Sequence, residues 1–231
     1  MLALLYDVHG NRAALDAVLE EARAHGADGW LLGGDYALFG PEPEATVERL
    51  RSLPEATWIR GNGERWTADP DAAPDNPVVP PAVQACRAAL GDALVAELGS
   101  LPEHAVLGGT RFVHGSPLSD VRSFAPEPDD EEGELLAGAA EPRVVFGHTH
   151  LPFRRRSADG AVELVNPGSV GMPFDGDTRA AYALLHADAT VEHRRVAYDV
   201  AASAGRLRER WPGEAWADTV ARRIEQARMD V

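Results

Sequence analysis

The beginning of the chain alternates short apolar runs with amphipathic stretches, and this alternation constrains the fold more than any other feature of the sequence. Apolar runs at 2–6, 30–32 and 57–59 have the length expected of buried strands. The stretches between them have helical periodicity, with Asn11 placed to cap the first helix and Gly26 to end it. This strand–helix–strand–helix–strand order predicts an α/β domain whose sheet begins largely parallel.

From about residue 100 the pattern changes from strand–helix units to hairpins. Paired strand-like runs are predicted at 105–107 with 111–113, 154–157 with 162–165, and 182–186 with 191–196, and a further buried strand at 144–146. Helices are predicted at 43–53, 83–98 and roughly 199–228. Two sheets packed face to face, with helices outside, would accommodate both halves of the chain.

A single domain is expected to span residues 1–231, because a chain of 231 residues fits one large domain. Two segments do not fit the regular pattern. The region near 66–100 starts with a loop rich in Asp, Pro and Ala, and the region near 117–142 is acidic and contains prolines. We expect both to be cap-like insertions that cover part of the domain.

Arginine supplies all 22 basic residues against 37 acidic ones, which gives a formal net charge of −15. Such an acidic surface disfavours broad binding to nucleic acid or anionic lipid, but a small anion can still bind at a locally positive site. The single cysteine, Cys86, excludes an internal disulfide and a cysteine-rich zinc site. With no apolar run long enough to span a membrane and no signal-peptide pattern, we expect a cytoplasmic protein.

Metal-capable side chains follow several predicted strands at the point where each strand ends. They are Asp7, His9 and Asn11 after the first strand, then Asp35, Asn62 and His114, and finally His148 and His150 after the strand at 144–146. Taken singly, such an aspartate is more often a turn or helix cap and such a histidine more often structural. The set favours a metal site, because sites in α/β sheets form beyond the carboxyl ends of strands. Without thiolates, these donors suit Mn²⁺, Fe, Zn²⁺, Co²⁺ or Ni²⁺.

The motifs around these residues carry a specific resemblance. In order they read DVHGN, GGDYALFGPEP, GN, VHGSP, GHTHLP and NPGSVGMPFDGD, over about residues 1–200. This set resembles the calcineurin-like metallophosphoesterase superfamily, and within it the small bacterial and archaeal phosphodiesterases. The resemblance implies a four-layer α/β/β/α sandwich with a helical and loop cap, which binds two divalent metal ions, most simply Mn²⁺.

The resemblance also implies a role for each motif residue. Asp7, His9 and His150 would hold the first metal, Asn62, His114 and His148 the second, and Asp35 would bridge the two. Two such ions leave a net positive charge beside two carboxylates, which suits a phosphate and the conversion of bridging water to hydroxide. The implied activity is hydrolysis of a small phosphodiester by that hydroxide, with Asp35 and Asn62 contributing to catalysis as well as to metal binding.

The sequence departs from the family pattern at two positions. Gly63 stands where relatives have a histidine or cysteine after the asparagine, so Glu64 is either a substitute catalytic group or a surface-facing side chain. Phe174 stands where relatives commonly carry an arginine, and it either lines the pocket or packs its own loop. Arg12 and Arg65, each next to a metal motif, are candidate substrate-binding residues, although each is as readily a solvated arginine.

Two alternative functions remain open at the level of sequence. One is a phosphomonoesterase that acts on nucleotides or phosphoproteins. The other is a metal-loaded binding or scaffold protein that lost catalysis together with the histidine missing at Gly63. For either enzyme, phosphodiesterase or phosphomonoesterase, the expected partner is a small phosphate ester. No membrane is expected to take part in any of the three functions.

Overall fold

The computed structural model describes the whole chain, Met1–Val231, as two five-stranded sheets and seven α-helices. The strands are β1 (Leu2–Leu5), β2 (Gly29–Leu32), β3 (Ala56–Trp58), β4 (His104–Leu107), β5 (Thr110–Val113), β6 (Arg143–Val145), β7 (Phe153–Arg156), β8 (Glu163–Asn166), β9 (Ala180–Leu185) and β10 (Val191–Val196). The helices are α1 (Arg12–Ala24), α2 (Pro43–Arg51), α3 (Asn62–Ala68), α4 (Val79–Gly99), α5 (Glu132–Leu135), α6 (Val200–Arg210) and α7 (Ala215–Gln226).

Both sheets are mixed, with parallel strands in the centre of each. The first sheet has the order β10-β9-β1-β2-β3, in which β1, β2 and β3 are parallel and β9 and β10 are antiparallel additions. The second has the order β4-β5-β6-β8-β7, in which β5, β6 and β8 are parallel and the two edge strands are antiparallel. The carboxyl ends of the parallel strands therefore meet at one edge of each sheet.

The central strands are apolar on both faces because apolar side chains pack against them from both sides. Leu4 and Leu31 of the first sheet pack with Phe112 and Val145 of the second in one cluster between the sheets. The side chain of Leu5 points to the opposite face from that of Leu4 and belongs to the large core formed with the outer helices. This explains why the strands read as continuous apolar runs rather than as an alternation of apolar and polar residues.

The predicted four-layer α/β/β/α sandwich is confirmed, but its two outer layers are unequal. Six helices, α1, α2, α3, α4, α6 and α7, contribute to the core on the outer face of the first sheet. The outer face of the second sheet is covered by little more than Leu135 of the short α5 and Phe124 of the preceding loop. No helix has both the length and the apolar character required to cross a lipid bilayer.

Several element boundaries differ from the predictions. The helix α3 was not predicted, because it begins within a metal motif and is only seven residues long. The helix α4 begins at Val79 rather than residue 83 and is kinked at Gly91, which has φ of 75°. The acidic stretch before residue 135 is not uniformly solvated, because Glu132 is buried and pairs with Arg155. That the segments near 66–100 and 117–142 act as caps stays a prediction.

Candidate metal centre and its cavity

The predicted metal ligands lie on the tight loops that follow the strands, and many of them have strained backbone. Five have the positive φ that side-chain-bearing residues seldom adopt, namely Asp7, His9, Asp35, His148 and His150. The loops are joined by main-chain hydrogen bonds, since the amide of His9 donates to the carbonyl of Asp35 at 2.8 Å. Backbone strain of this kind persists where the surrounding structure holds it, and it concentrates at functional sites.

The first group of donors is formed by Asp7, His9 and His150, all buried. Nδ1 of His9 lies 2.9 Å from the carbonyl oxygen of Leu38, and Nδ1 of His150 lies 2.5 Å from that of Met172. A neutral ring with its proton on Nδ1 has only a lone pair on Nε2. The two Nε2 atoms nevertheless face each other at 3.1 Å, and Nε2 of His150 lies 3.5 Å from Oδ1 of Asp7. The lone pairs of both rings and of Asp7 therefore converge on one point. They repel one another there unless a cation binds between them.

The second group is formed by Asn62, His114 and His148. Nε2 of His114 and Nδ1 of His148 lie 2.9 and 2.8 Å from one terminal atom of the Asn62 side-chain amide, which is its nitrogen or its oxygen according to the rotation of the amide. The other nitrogen of His114, Nδ1, faces the carbonyl oxygen of Gly33 at 2.9 Å, which fixes the ring as in the first group. With the amide oxygen turned toward the histidines, two imidazole nitrogens and one amide oxygen converge on a second point, as a cation at that point requires.

The carboxylates of Asp7 and Asp35 lie between the two groups. Oδ1 of Asp35 is 3.5 Å from Nε2 of His114, and its Oδ2 is 3.9 Å from Nε2 of His9. Asp35 therefore spans both groups, as a bridging ligand must. Oδ1 of Asp7 also reaches both, at 3.5 Å from His150 and 3.8 Å from His114, yet it is buried without any hydrogen-bond partner. A buried carboxylate oxygen without a partner is costly unless a cation satisfies it.

The electrostatics of the cluster match a site built for cations. Burial lowers the pKa of His9 to about 3 and that of His148 to about 4, so these rings are neutral and offer lone pairs. Burial raises the pKa of Asp35 to about 7. Burial opposes ionisation of Asp7 as well, but His150, His114 and His9 outweigh it and lower its pKa. The residues present therefore fit two divalent metal ions, whose charge would stabilise both carboxylates.

Glu64 occupies neither of the positions expected for it. It is only 3% exposed, so it does not face the surface. Its two carboxylate oxygens accept hydrogen bonds from the backbone amides of Asp35, Tyr36 and Gly61, at 2.8 to 2.9 Å. With both oxygens occupied below the ligand loops, Glu64 is not placed to protonate a leaving group. It holds the loop that carries Asp35 against the start of α3.

Gly63 lies in close contact with Asp35. Its amide donates to Oδ1 of Asp35 at 2.7 Å. A Cβ atom at this position would lie 2.9 Å from that same oxygen and 3.1 Å from Cγ of Asp35. The residue that replaces the usual histidine therefore brings the backbone of α3 close to the proposed bridging carboxylate.

The two predicted substrate-binding arginines do not line the cavity at the metal centre. Arg12 pairs with Asp16, one turn along α1, and donates to the carbonyl of Ala45. Arg65 forms a bidentate pair with Asp120 and faces a separate polar cavity on the other side of His114. Each arginine follows a metal motif in sequence, but the helix that begins there directs its side chain away from the centre.

The candidate metal centre forms the floor of a cavity of about 430 Å³. Its walls are largely apolar and include Phe39, Trp66, Met172 and Phe174. The ring of Phe174 stacks on that of His150, with centroids 4.3 Å apart and planes inclined by 15°. Phe174 therefore lines the pocket as well as packing its own loop.

The sequence analysis missed the parts of the wall that come from distant segments. Pro74 and residues 76–79, before and at the start of α4, contribute one side, and Arg223 of α7 contributes the one charged side chain outside the proposed ligand set. No motif surrounds Arg223, so only the packing of α7 against α4 and α6 reveals its position.

Comparison with known proteins identifies the family. Residues 1–190 match the profile of the calcineurin-like phosphoesterase superfamily domain. The chain therefore belongs to this superfamily, whose members are metal-dependent, and the family points to a phosphoesterase. An uncharacterized protein of Methanocaldococcus jannaschii, MJ0912, is 27% identical over 219 residues, which cover 87% of this chain and 88% of that protein.

Solved structures of similar chains have the same fold. A metallophosphoesterase from Sphaerobacter thermophilus superposes with a TM-score of 0.83 at 28% identity, covering 98% of both chains. The hypothetical protein PH1004 from Pyrococcus horikoshii OT3 gives a TM-score of 0.80 at 21% identity, covering 98% of this chain and 99% of that one. The match extends over α6 and α7, beyond the residues of the family profile.

Proposed function

We propose that this protein is a metal-dependent phosphodiesterase that hydrolyses a small phosphodiester, with two Mn²⁺ ions as the resident metals. The observation that carries the proposal is the convergence of seven metal donors on two points at the floor of one cavity with apolar walls. The donors are Asp7, His9, Asp35, Asn62, His114, His148 and His150. Such walls suit the organic groups that a phosphodiester carries on both sides of its phosphorus.

The chain contributes position and charge to the reaction. Two divalent ions, when bound, would supply positive charge for the phosphate and for activation of the attacking water. The hydrogen bonds of His9, His114 and His150 to main-chain carbonyls fix each ring with its lone pair directed inward. Asp35 lies within reach of both points and would help to hold an ion at each of them.

The leaving group receives no proton from this chain in our proposal. The titratable side chains that line the cavity are the proposed ligands and Arg223. Glu64 is held by backbone amides, and Gly63 has no side chain to offer. General-acid help is typically worth about 10²–10⁴-fold, mostly for alcohols that leave poorly as anions. We therefore expect rates to fall steeply as the pKa of the leaving group rises.

Steady-state hydrolysis separates the proposal from its alternatives. The Mn²⁺-loaded protein should turn over bis-p-nitrophenyl phosphate with a higher kcat/KM than p-nitrophenyl phosphate. A reversed preference would identify a phosphomonoesterase. Stoichiometric binding of two metals without turnover of either ester would identify a binding or scaffold protein.

A second measurement addresses the leaving group. Across a series of aryl and alkyl diesters, log kcat should decrease as the leaving-group pKa increases, under conditions in which chemistry limits the rate. A flat dependence would show that an acid is present after all. Arg12→Met is the matched control variant, and it should hydrolyse every ester like the wild type because Arg12 lies outside the cavity.

A further inference from the structure

Arg223 on α7 is a half-buried cation that lines the cavity of the metal centre without a carboxylate partner. Its Nε donates to the main-chain carbonyl of Met229 at 2.9 Å, and the side chain makes no other hydrogen bond within the protein. Burial lowers its pKa, and no neighbouring acid opposes that shift. The rest of the guanidinium fork is therefore free toward the cavity, which Arg223 lines together with Met229.

This situation is unusual in a chain that has 37 acidic residues against 22 arginines. Other arginines near the site are neutralised, as Arg65 is by Asp120 and Arg12 by Asp16. On the same helix, Arg222 pairs with Asp218. Placing a cation partly out of water without an anion is unfavourable, so a ligand that supplies the anion would recover that energy.

The walls between the floor and Arg223 have a consistent character. Trp66 and Val79 come from the two helices on one side, and Phe39 and Phe174 come from the loops beside the ligands. None of these side chains is charged, so the cavity offers two separate places for negative charge, the metal centre and Arg223. An apolar or aromatic group fits between them.

We propose that Arg223 is a second anion-binding point of this cavity, and that the preferred substrate is a phosphodiester whose organic part carries a further phosphate or carboxylate. The inference rests on the proposed function, because it assigns the scissile phosphate to the metal centre. The second anion would meet the free edge of the guanidinium, which matches the geometry of phosphate and carboxylate oxygens. Arg223 then determines specificity and takes no part in bond breaking.

A purely structural role for Arg223 is the competing explanation. In that case the side chain would only fasten the end of the chain through the carbonyl of Met229. The two roles differ in what they predict for ligands with one or two anionic groups, which can be measured by binding alone.

The test is calorimetric titration of the Mn²⁺-loaded protein with α,ω-alkane bisphosphonates of increasing chain length, each compared with the alkyl monophosphonate of the same length. A flexible spacer lets the second group find its partner wherever it lies along the apolar wall. The best bisphosphonate should bind about tenfold or more tightly than its monophosphonate, well above the statistical factor of about two for two equivalent ends.

Variants of two arginines then locate the effect. Arg223→Met should reduce the bisphosphonate advantage to the statistical factor, and Arg223→Lys should retain part of it because the charge remains. Arg228→Met is the matched control, since Arg228 is an exposed arginine near the same chain end and does not line the cavity. It removes the same charge and should keep the full advantage.

Three results would overturn the proposal. They are the absence of an advantage in the wild type at any spacer length, its survival in Arg223→Met, or an equal loss in Arg228→Met. Failure of the proposed function would look different, because phosphonates would bind with the Arg223-dependent advantage while no phosphodiester was hydrolysed.

Discussion

The floor and the walls of the cavity are built in contrasting ways. Every proposed ligand on the floor follows a strand end, and main-chain groups hold most of these side chains, as the carbonyls of Leu38, Gly33 and Met172 fix three of the histidines. The walls come from loops and helices far apart in sequence, and their contacts are mostly apolar. The contrast indicates that the floor determines the chemistry, while the walls determine which ester reaches it.

This division leads to a simple expectation for mutations. Changes on the floor should alter metal content and turnover together, because geometry there is fixed within a rigid hydrogen-bonded network. Changes on the walls should alter KM or ligand choice and leave the metals in place. A wall substitution that releases metal, or a floor substitution that changes only KM, would break the distinction.

Replacement of the spanning carboxylate should have the largest effect. Asp35→Asn removes a charge whose oxygens reach toward both His9 and His114. We expect kcat/KM to fall by more than about 100-fold, beyond the loss typical of residues that only orient ligands. Metal content, measured by elemental analysis after dialysis, should fall in parallel.

A stability measurement provides the control for Asp35→Asn. Burial raises the pKa of Asp35 to about 7, from an ordinary value of 3.8. A carboxyl group with a raised pKa stabilises the fold at low pH, and this contribution is lost as the pH rises through the raised value. At pH 8 the metal-free variant should therefore unfold at a temperature no lower than the metal-free wild type. Full metal content with normal turnover in the variant would contradict the assignment of Asp35.

Removal of the charge beneath the floor should have the next largest effect. Glu64→Gln replaces a carboxylate that accepts from three backbone amides with a group that has one acceptor oxygen and an NH₂ facing donors. The loop that carries Asp35 should lose its fixed position. We expect metal affinity to fall about 10–100-fold, as it does when orienting partners are removed.

The chain offers a matched control for Glu64→Gln in a second buried glutamate. Glu132 is also nearly inaccessible, but it pairs with Arg155 on the outer face of the second sheet, away from the metal centre. Glu132→Gln should lower thermal stability and leave metal affinity unchanged. If the two variants affected metal affinity equally, the role assigned to Glu64 would be wrong.

The parts of this structure that can be predicted from the sequence follow the same division between floor and walls. The strand-end motifs locate Asp7, Asp35 and His114 because the backbone periodicity and the local residue types are both short-range signals. The position of the Glu64 side chain is not predictable in this way, since α3 directs it beneath the loop that follows β2. Arg223 depends on how α7 packs, and long-range packing leaves no local motif.

The same limit explains why Arg12 and Arg65 lie outside the cavity of the candidate metal centre. Proximity in sequence to a metal ligand does not imply proximity in space, because the helix that starts at each motif rotates successive side chains by about 100°. Arg12 thus meets Asp16 on its own helix, and Arg65 meets Asp120 on a separate loop.

A smaller effect on the floor is expected from a single methyl group. Gly63→Ala places a Cβ 2.9 Å from Oδ1 of Asp35, a contact that requires the carboxylate to move. We expect a several-fold loss of metal affinity. Gly205→Ala in α6 is the control, because the added Cβ meets nothing within 4 Å and alanine favours helix.

The contact at Gly63 also decides whether the missing histidine can be restored. Gly63→His would bring the same Cβ against Asp35 before its ring could act as an acid. We therefore expect this variant to lose metal rather than to accelerate esters with poor leaving groups. Faster alkyl-ester hydrolysis with full metal content would show that the loop adjusts at little cost.

Phe174 gives the smallest expected effect and the sharpest test, because it touches both regions. Its ring stacks on the ligand His150 and also lines the cavity. The position of His150 is already fixed by its hydrogen bond to the carbonyl of Met172, so Phe174→Leu should leave metal content and kcat unchanged.

Aromatic contacts are worth about 0.5–1.5 kcal/mol beyond buried area, so KM for aryl diesters should rise by roughly two- to tenfold in Phe174→Leu. KM for alkyl diesters should change less, since they lack a ring to stack. Loss of metal in Phe174→Leu would instead place Phe174 on the floor, with the stack, rather than the carbonyl of Met172, holding His150 in position.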